Sequence, residues 1–344
     1  NDVNDGLYGP YPTGTLGTDL ADPASASKGD AMSAVFRTVG GAVATTQHVV
    51  NEARQYNFKS DFAAVSGGVT NNATQFAAAM SGILAAGGGT LALTSETFHS
   101  ASGLSQPWPV SLTGQGPAHE AFYLGGQVKG SVLTIAGSAA GDCLTVGGDD
   151  GARGNFGVSG LSIYASGANA IRSIVRLAGV MHPVMRDVEI SNLTAARNLG
   201  IGLNILPDTS GNLTLYGDFS HLKIVGCYTA LQIEEDSNAN TFNACSFQAR
   251  RYALRMSGTL TPLGNTFNGC SFEGSYSTAM EHEYLAPGAN IVGYPVNTAG
   301  LYAVKLAKIE RAQSTMFSGG YAELGGTPAT YDDGVNGVKT LVPV

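Results

Sequence analysis

The sequence predicts an all-β chain that winds into a parallel β-helix with about 25 residues in each coil. Three observations carry this prediction. A short apolar pattern recurs along the second half of the chain, each copy precedes a segment of alternating apolar and polar residues, and glycine supplies 47 of the 344 residues. Glycines provide corner conformations that other residues resist. A unit this short buries its inner face only when copies stack.

The clearest repeat is an eight-residue run that occurs at 240–247 and again at 265–272, 25 residues later. Both copies read Asn-Thr-Phe-Asn-x-Cys-Ser-Phe, with apolar residues at positions i, i+3 and i+5. The same spacing predicts equivalent strands in five other coils: Val158/Leu161/Ile163, Met185/Val188/Ile190, Phe219/Leu222/Ile224, Ile291/Tyr294/Val296 and, more weakly, Met316/Gly319/Tyr321.

A second alternating segment follows each copy and predicts another strand with one buried face. Its members are Val175/Leu177, Leu203/Ile205, Leu231/Ile233, Leu254/Met256, Met280/His282 and Val304/Leu306. In this register the outward residues form a ladder of one polar and three charged side chains, namely Gln232, Arg255, Glu281 and Lys305. Opposite charges on neighbouring strands stabilise a sheet modestly, so a purely structural ladder is one interpretation of these residues.

Earlier strand signals predict the first, less regular coils: Thr90 to Leu93, Val110 to Leu112, Val132 to Ile135 and Cys143 to Val146. A helix ahead of them begins at an N-cap, Asn72, which forms a capping box with Gln75. The apolar positions of this helix are Phe76, Met80 and Ile83, and it ends at Gly87. We expect it to cap the open end of the stacked coils.

The chain divides into three predicted parts. Residues 1–60 form an extended and partly helical attachment or linker segment, with a short amphipathic helix over 46–58. Residues 61–325 form the β-helix, and 326–344 form an extended C-terminal tail.

Composition excludes several classes of function. The net charge of −8, with only 13% charged residues, argues against a nucleic-acid-binding face. The chain lacks the run of about 18 apolar residues that a membrane-inserted helix needs. Its four cysteines include no C-x-x-C pair, which excludes the common zinc spacings and favours small buried side chains. We expect neither a metal site nor another cofactor.

Residues 61–90 resemble the opening of the pectate-lyase-like β-helix domains of bacteriophage tailspikes and tail fibres. That family opens with D-F-G-A-x-G-D-G-x-T-D-D-T, then a helix and G-G-G-T. The matching residues here are Asp61, Phe62, Ala64, Val65, Gly68, Val69, Thr70 and Gly87 to Thr90. The departures are Ala63, Ser66, Gly67, Asn71, Asn72 and Ala73, which remove the acidic residues of that turn.

Two further segments extend the resemblance over about residues 15–325. Val110 to Gly116 is similar to the family's second coil, which often reads V-x-L-x-G-x-G. Leu20 to Pro23, Lys28-Gly29, Met32 and Gly41 to Ala44 are similar to the segment that phage tail proteins place before this domain.

The resemblance implies a right-handed β-helix in a virion tail that acts at the host cell surface. It also implies a homotrimer whose N-terminal segment contacts other tail or baseplate proteins. Two functions stay open. One is a tailspike or tail fibre that binds a bacterial surface polysaccharide, capsule or O-antigen, with or without depolymerising it. The other is a non-catalytic structural or adaptor protein that uses the β-helix as a rigid spacer.

Glycoside hydrolysis needs two carboxyl groups roughly 5–9.5 Å apart, a separation that acids on neighbouring coils meet. The candidates are Glu234, Glu235 and Asp236 on one coil and Glu273, Glu281 and Glu283 two coils further on. Glu234 and Glu283 share an outward position in the predicted register, and Arg255, Tyr276 and Tyr284 lie near enough to contact a sugar. A solvated charged face is the alternative interpretation.

Elimination on a uronic-acid polymer is the second possible chemistry, because it needs a base and a group that neutralises the substrate carboxylate. Arg250, Arg251, Tyr252 and Arg255 form the basic cluster of the predicted coils. Arg251 and Arg255 are therefore candidate substrate-binding residues under either chemistry.

Overall fold

A computed structural model describes residues 55–118, 130–193, 200–258, 260, 262–274, 305–309, 315–324, 330–332 and 338–340. Within these ranges the chain is a parallel β-helix whose strands belong to one open sheet. No helix of the described residues is long and apolar enough to cross a membrane. Each complete coil presents three faces, which we name in the order that the chain visits them from Gly89.

The first face begins with β1 (Gln55–Asn57), which pairs in parallel with β2 (Gly89–Ala92). The following strands on this face are β5 (Val110–Thr113), the middle of β7 (Asp142–Ala165) and of β8 (Ser173–Asn192), β10 (Asp218–Ser220), β12 (Thr241–Asn243), β14 (Thr266–Asn268) and β17 (Met316–Ser318).

The second face consists of β3 (Thr97–Ser100), β6 (Val132–Ile135), the C-terminal ends of β7 and β8, the N-terminal ends of β11 (Lys223–Glu234) and β13 (Ser246–Ser257), then β15 (Ser271–Gly274) and β18 (Tyr321–Leu324).

The third face consists of β4 (Leu104–Gln106), the N-terminal ends of β7 and β8, β9 (Ile201–Leu206), the C-terminal ends of β11 and β13, β16 (Lys305–Ile309) and β19 (Thr330–Asp332). β20 (Val338–Thr340) turns back to pair antiparallel with β19.

The predicted repeat is confirmed in its register up to Phe272. Strand pairing aligns Met185, Phe219, Phe242 and Phe267 on the first face, and Ile190, Ile224, Phe247 and Phe272 on the second. The third face aligns the alternating pairs of β8, β9, β11 and β13 as the sequence predicts. These apolar side chains are buried in one continuous core, except Phe272, which is partly buried and packs against it.

Stacked phenylalanines form the densest part of that core. Phe219, Phe242, Phe267 and Phe317 lie ring over ring along the first face, with centroids 4.7, 4.8 and 5.0 Å apart. These separations match the spacing of about 4.8 Å between paired strands, because parallel in-register pairing places identical side chains directly above one another. Phe317 is the last ring of the stack and is 47% exposed.

An asparagine pair closes the corner ahead of this stack. Asn240 and Asn265 are fully buried, and both the backbone N–H and the side-chain amide of Asn240 donate to Oδ1 of Asn265. Asn240 in turn accepts from the N–H of Gly217, and Asn265 donates to the carbonyl of Ser237. The ladder therefore satisfies polar groups that would otherwise be buried without partners.

The last coils correct the predicted repeat. β13 pairs directly with β16 and β14 with β17, so no further layer lies between these strands. The predicted coil built on Ile291/Tyr294/Val296 and Met280/His282 therefore does not separate them, and those residues lie outside the described ranges. Phe317, rather than Met316, aligns with Phe267, so the weak final copy was predicted one residue too early.

The outward ladder of the third face changes with this register. Arg255 is paired with Lys308 of β16, and Lys308 with Asp332 of β19. The predicted neighbours, Glu281 and Lys305, are wrong, because Lys305 is in register with Tyr252.

The predicted capping helix is confirmed, but the predicted N-cap hydrogen bond of Asn72 is not. α2 (Ala73–Ala85) buries Phe76, Met80 and Ile83, but Asn72 makes no capping bond. Its side chain instead accepts from the N–H of Val65 and donates to the carbonyls of Val65, Thr70 and His99. The oxygen Oδ1 of Asn71 accepts from the N–H of Ala73. The capping box with Gln75 is therefore wrong.

The strand that precedes this cap lies within the segment predicted as an attachment arm. β1 pairs with β2 from Gln55 onward, and α1 (Phe58–Phe62) follows it immediately. The amphipathic helix predicted to end at Phe58 is thus wrong over 55–57, where the chain is extended, while 46–54 lies outside the described residues. The domain limits themselves stay a prediction.

Replacing Phe242 with alanine should lower the free energy of unfolding by about 4 kcal/mol, because it removes a ring that is stacked on both sides in the buried core. Phe317→Ala is the matched control in the same column and should cost under about 1 kcal/mol, since its ring is half exposed. Denaturant unfolding of the two variants checks this. Equal losses would contradict the stacked core.

Candidate functional site

A band of polar side chains follows the outward side of the third face. Strand pairing aligns Thr145, Arg176, Asn204, Gln232 and Arg255, one from each successive layer. The alternating positions point into the core, so the period of two that buries the apolar residues also directs these polar groups outward. We call Asp142, Arg172, Arg176, Asn204, Gln232, Glu234 and Arg255 the third-face site.

Asp142 is the charged centre of this site. Nε of Arg172 donates to Asp142 Oδ1 at 2.9 Å, and its Nη2 donates to Oδ2, which makes the contact bidentate. Oγ of Ser173 donates to Oδ1, and Nε of Arg176 lies 3.8 Å from Oδ2. The Asp142 side chain is only 6% exposed, so two guanidinium groups share one nearly buried carboxylate.

These contacts decide the protonation state of Asp142. Burial favours the neutral acid and raises its pKa, but the hydrogen bonds from Arg172 and Ser173 and the charges of Arg172 and Arg176 outweigh it. The pKa of Asp142 consequently lies below its ordinary value. This carboxylate is ionised at neutral pH and positions the arginines.

Glu234 supplies the second carboxylate of the site. Its Oε1 accepts from Nε2 of Gln232 at 2.5 Å, two residues earlier on the same outward side of β11. The pKa of Arg172 is raised above its ordinary value, first by the hydrogen bond to Asp142, against burial, and further by the charges of Asp142 and Glu234. Arg172 therefore lies within the electrostatic reach of both acids.

The site contains buried polar atoms that the described residues do not satisfy with a hydrogen bond. They include Oδ1 of Asn204, a residue that is 2% exposed, and Nε of Arg176, which lies 3.8 Å from the carboxylate of Asp142. An unsatisfied buried donor or acceptor costs about 1–3 kcal/mol, and native proteins keep few of them. These two atoms lie on adjacent layers of the third face.

The structure places the predicted site residues unevenly. Glu234 and Arg255 lie on the third face, as the alternation predicts. Asp236 lies in the turn after β11 and is half-buried, and its Oδ1 accepts from Nδ2 of Asn238 at 3.3 Å. Arg251 lies within β13, but its side chain is outside what the structure describes, as are Tyr276, Glu281, Glu283 and Tyr284 entirely.

Sequence reasoning missed Asp142, Arg172, Arg176 and Asn204. Arg176 and Asn204 had a signal, because each stands between the two apolar residues of an alternating pair, at the same position as Gln232. Asp142 and Arg172 lie where a strand of the third face starts, outside any periodic pattern. Within the described residues, no group of three or more His, Cys, Asp or Glu side chains is placed to hold a metal ion.

Comparisons with known proteins assign no role to any residue of this chain. No family model matches the chain, and no curated protein matches it. Solved structures similar to it include the A-module of the mannuronan C-5 epimerase AlgE6 of Azotobacter vinelandii. That module is 16% identical with a TM-score of 0.35, over 64% of this chain and 70% of the other.

The Dettilon tailspike protein is also similar, at 11% identity and a TM-score of 0.32 over 69% of this chain and 53% of the tailspike. Both similarities have TM-scores below 0.5 and assign no role to any side chain.

Asp142→Asn should remove part of the acid sensitivity of the fold. The pKa of Asp142 is lower when folded than when unfolded, so its contribution is fully present above about pH 4 and is lost as pH falls through the folded-state pKa. The variant should lose about 1–3 kcal/mol at pH 7, because the largely buried Arg176 and the more exposed Arg172 both lose their counterion.

Denaturant unfolding between pH 7 and pH 2 measures both effects. Asp187→Asn is the control, since its side chain is 62% exposed and contacts an equally exposed histidine. A wild-type and Asp142→Asn difference that stays constant down to pH 2 would contradict the ionised, paired state of Asp142.

Proposed function

We propose that this chain is a bacteriophage tail protein, a tailspike or tail fibre, that binds a bacterial surface polysaccharide along its third face. The observation that carries the proposal is the Arg172–Asp142–Arg176 cluster, continued in register by Asn204, Gln232 and Arg255. The resemblance of residues 61–90 to the opening of tailspike β-helix domains supports the phage setting.

The shape of the third-face site suits a polymer. Its outward groups repeat once per layer, about 4.8 Å apart, along a straight column that crosses four successive strands. A linear glycan that lies along the column meets a new donor or acceptor at each layer. The exposed part of the third-face site is supplied by Arg172, whose side chain is 52% exposed, and to a lesser extent by Arg176, at 18%.

The geometry supports binding more strongly than hydrolysis. A hydrolase needs one carboxyl group that is protonated and one that is ionised, flanking the scissile bond. Asp142 is held ionised by two arginines, which unfits it for the role of general acid. Glu234, hydrogen-bonded to Gln232, is the described carboxylate that remains for catalysis, and Asp236 lies in the turn beyond it.

Depolymerisation is the second function that the site allows, and Glu234 is the observation that favours it. Its carboxylate borders the same arginine-rich face that would hold the polymer. Under this proposal Glu234 acts as acid or base, with Arg255 and Arg251 as substrate-binding groups. Glu281, Glu283, Tyr276 and Tyr284 stay candidates from the sequence alone, because they lie outside the described residues.

The proposal includes the setting of the protein. The chain assembles as a homotrimer in the virion tail, and residues 1–60 attach it to other tail or baseplate proteins. The competing function is a rigid spacer that binds no glycan. The β-helix fold suits a spacer equally well. A measurement of glycan binding therefore distinguishes the polysaccharide-binding tail protein from the spacer.

Arg176→Ala should weaken binding of the host's purified capsule or O-antigen about 10-fold or more, because it removes a charged hydrogen-bonding group from the third face. Lys59→Ala is the control, since it removes a positive charge that pairs with Glu96 near α1. Biolayer interferometry on the immobilised polysaccharide measures both. Wild-type protein that binds neither glycan would support the spacer instead.

The same samples test depolymerisation. New reducing ends without absorbance from unsaturated uronates indicate hydrolysis, and both signals together indicate elimination. Glu234→Gln should abolish turnover while leaving polysaccharide binding within about 3-fold, since the amide keeps the contact with Gln232. Turnover that survives this substitution would exclude Glu234 as the catalytic group.

A further inference from the structure

Two neighbouring coils carry large exposed side chains at the corners of the first face. His182 and Tyr216 stand at the corner before β8 and β10 reach this face, and Asp187 and His221 stand at the corner after it. Between them lie Arg186 and Asp218 on the outward side. We call these six residues the corner strip.

The backbone at both corners is left-handed. φ is 55° at His182, 58° at Tyr216, 54° at Asp187 and 53° at His221. The same corners in other layers also have positive φ, but their residues are small: Ala239 and Gly264 before the face, and Gly160, Ala244, Gly269 and Gly319 after it.

The comparison shows that the fold requires a backbone conformation at each corner and does not require a large side chain there. The coil requires a left-handed residue at each corner, and glycine meets that requirement without steric cost. Two layers instead place histidine, tyrosine and aspartate there. Bulky residues held in a strained conformation concentrate at functional sites, so the corner strip is a candidate for function.

The aromatic pair of the strip forms an exposed stack of two rings, which we call the platform. The rings of His182 and Tyr216 are stacked with centroids 5.1 Å apart and planes inclined by 21°. Tyr216 is 51% exposed, and His182 is also exposed. An exposed aromatic face with a polar hydroxyl at its edge offers an apolar surface and a hydrogen bond together, which is the combination that ligand sites use.

Two polar pairs lie beside the platform. Nη2 of Arg186 donates to Oδ2 of Asp218, and Nδ1 of His221 lies 3.2 Å from Oδ1 of Asp187. Each pair sets a donor next to an acceptor, and all four side chains are between 41% and 65% exposed. The strip spans five residue steps, about 17 Å at 3.3 Å per residue, which is the length of a short oligosaccharide.

We propose that the corner strip is a second carbohydrate site, which takes a short oligosaccharide. One pyranose ring packs against the His182–Tyr216 platform, and the hydroxyl groups of this and the following sugar units bond to Arg186, Asp218, Asp187 and His221. A pyranose ring has an apolar C–H face and a rim of hydroxyl groups that both donate and accept. The platform matches the apolar C–H face, and the charged pairs match the rim of hydroxyl groups. The strip occupies the first face, so it acts independently of the third-face site.

Saturation-transfer difference NMR on the full chain tests this site. The probes are the methyl pyranosides of glucose, galactose, mannose and glucuronic acid at millimolar concentration. We expect transfer to the ring C–H protons of at least one probe, and a loss of about 5-fold or more in Tyr216→Ala and in His182→Ala. Trp108→Ala, at another half-exposed aromatic residue, should leave the transfer unchanged.

Two results would overturn the proposal: no transfer from any of the four pyranosides, or transfer that persists in Tyr216→Ala. Arg176→Ala should leave this signal intact, because Arg176 lies on the third face. Loss of polysaccharide binding through the third-face site is therefore distinguishable from loss at the corner strip.

Thermal unfolding separates a ligand-binding role from a packing role. Tyr216→Gly should raise Tm by about 2 °C, because glycine relieves the left-handed strain, and should abolish saturation transfer. Ala239→Gly at the same corner of the next layer should raise Tm similarly and leave transfer unchanged. A lower Tm in Tyr216→Gly would show that the tyrosine stabilises the fold, and would contradict the proposal.

Discussion

In-register parallel pairing between successive coils is the constraint on which the rest of this structure depends. It places Phe242 over Phe219 and Phe267 over Phe242, so the core consists of columns of like residues rather than an irregular packing of different ones. It also aligns the left-handed corners and the outward polar groups. A residue therefore acts as a member of a column, and its neighbours above and below decide whether it is buried, strained or available.

The columns explain why much of the fold follows from sequence. A period of two within each strand and a period of about 25 between strands are both visible in one dimension, so the registers of Val175, Leu203, Leu231 and Leu254 were predictable. What failed was the assumption that every layer follows the last at that interval. The hydrogen bonds of Asn72 and Asn71 could not be predicted from the sequence either. An asparagine side chain has several possible partners, and only the folded loop selects among them.

The third-face site was predictable in part for the same reason. Glu234 and Arg255 belong to strands with clear alternation, and so do Arg176 and Asn204, which needed only the same reasoning one and two layers earlier. Asp142 and Arg172 belong to a corner, where no period applies and contacts depend on the path of the chain. Asp142, the carboxylate that holds the two arginines of the site, is therefore the residue that the sequence pattern does not reveal. Arg172 and Arg176 share the single carboxylate of Asp142, so the cluster keeps a net positive charge, and the Arg172 side chain is 52% exposed. The chain as a whole has a net charge of −8.

The direct pairing of β14 with β17 and of β13 with β16 has a consequence for how such a protein varies. The layers pair directly although 30 residues of sequence separate Gly274 from Lys305. Closing a longer excursion costs little more than closing a short one, since the entropy of loop closure rises only with the logarithm of length. The corner between the second and third faces is thus a place where sequence can be inserted, exchanged or removed while the hydrogen-bonded layers on either side stay unchanged. New surface chemistry can be acquired there without changing the paired strands.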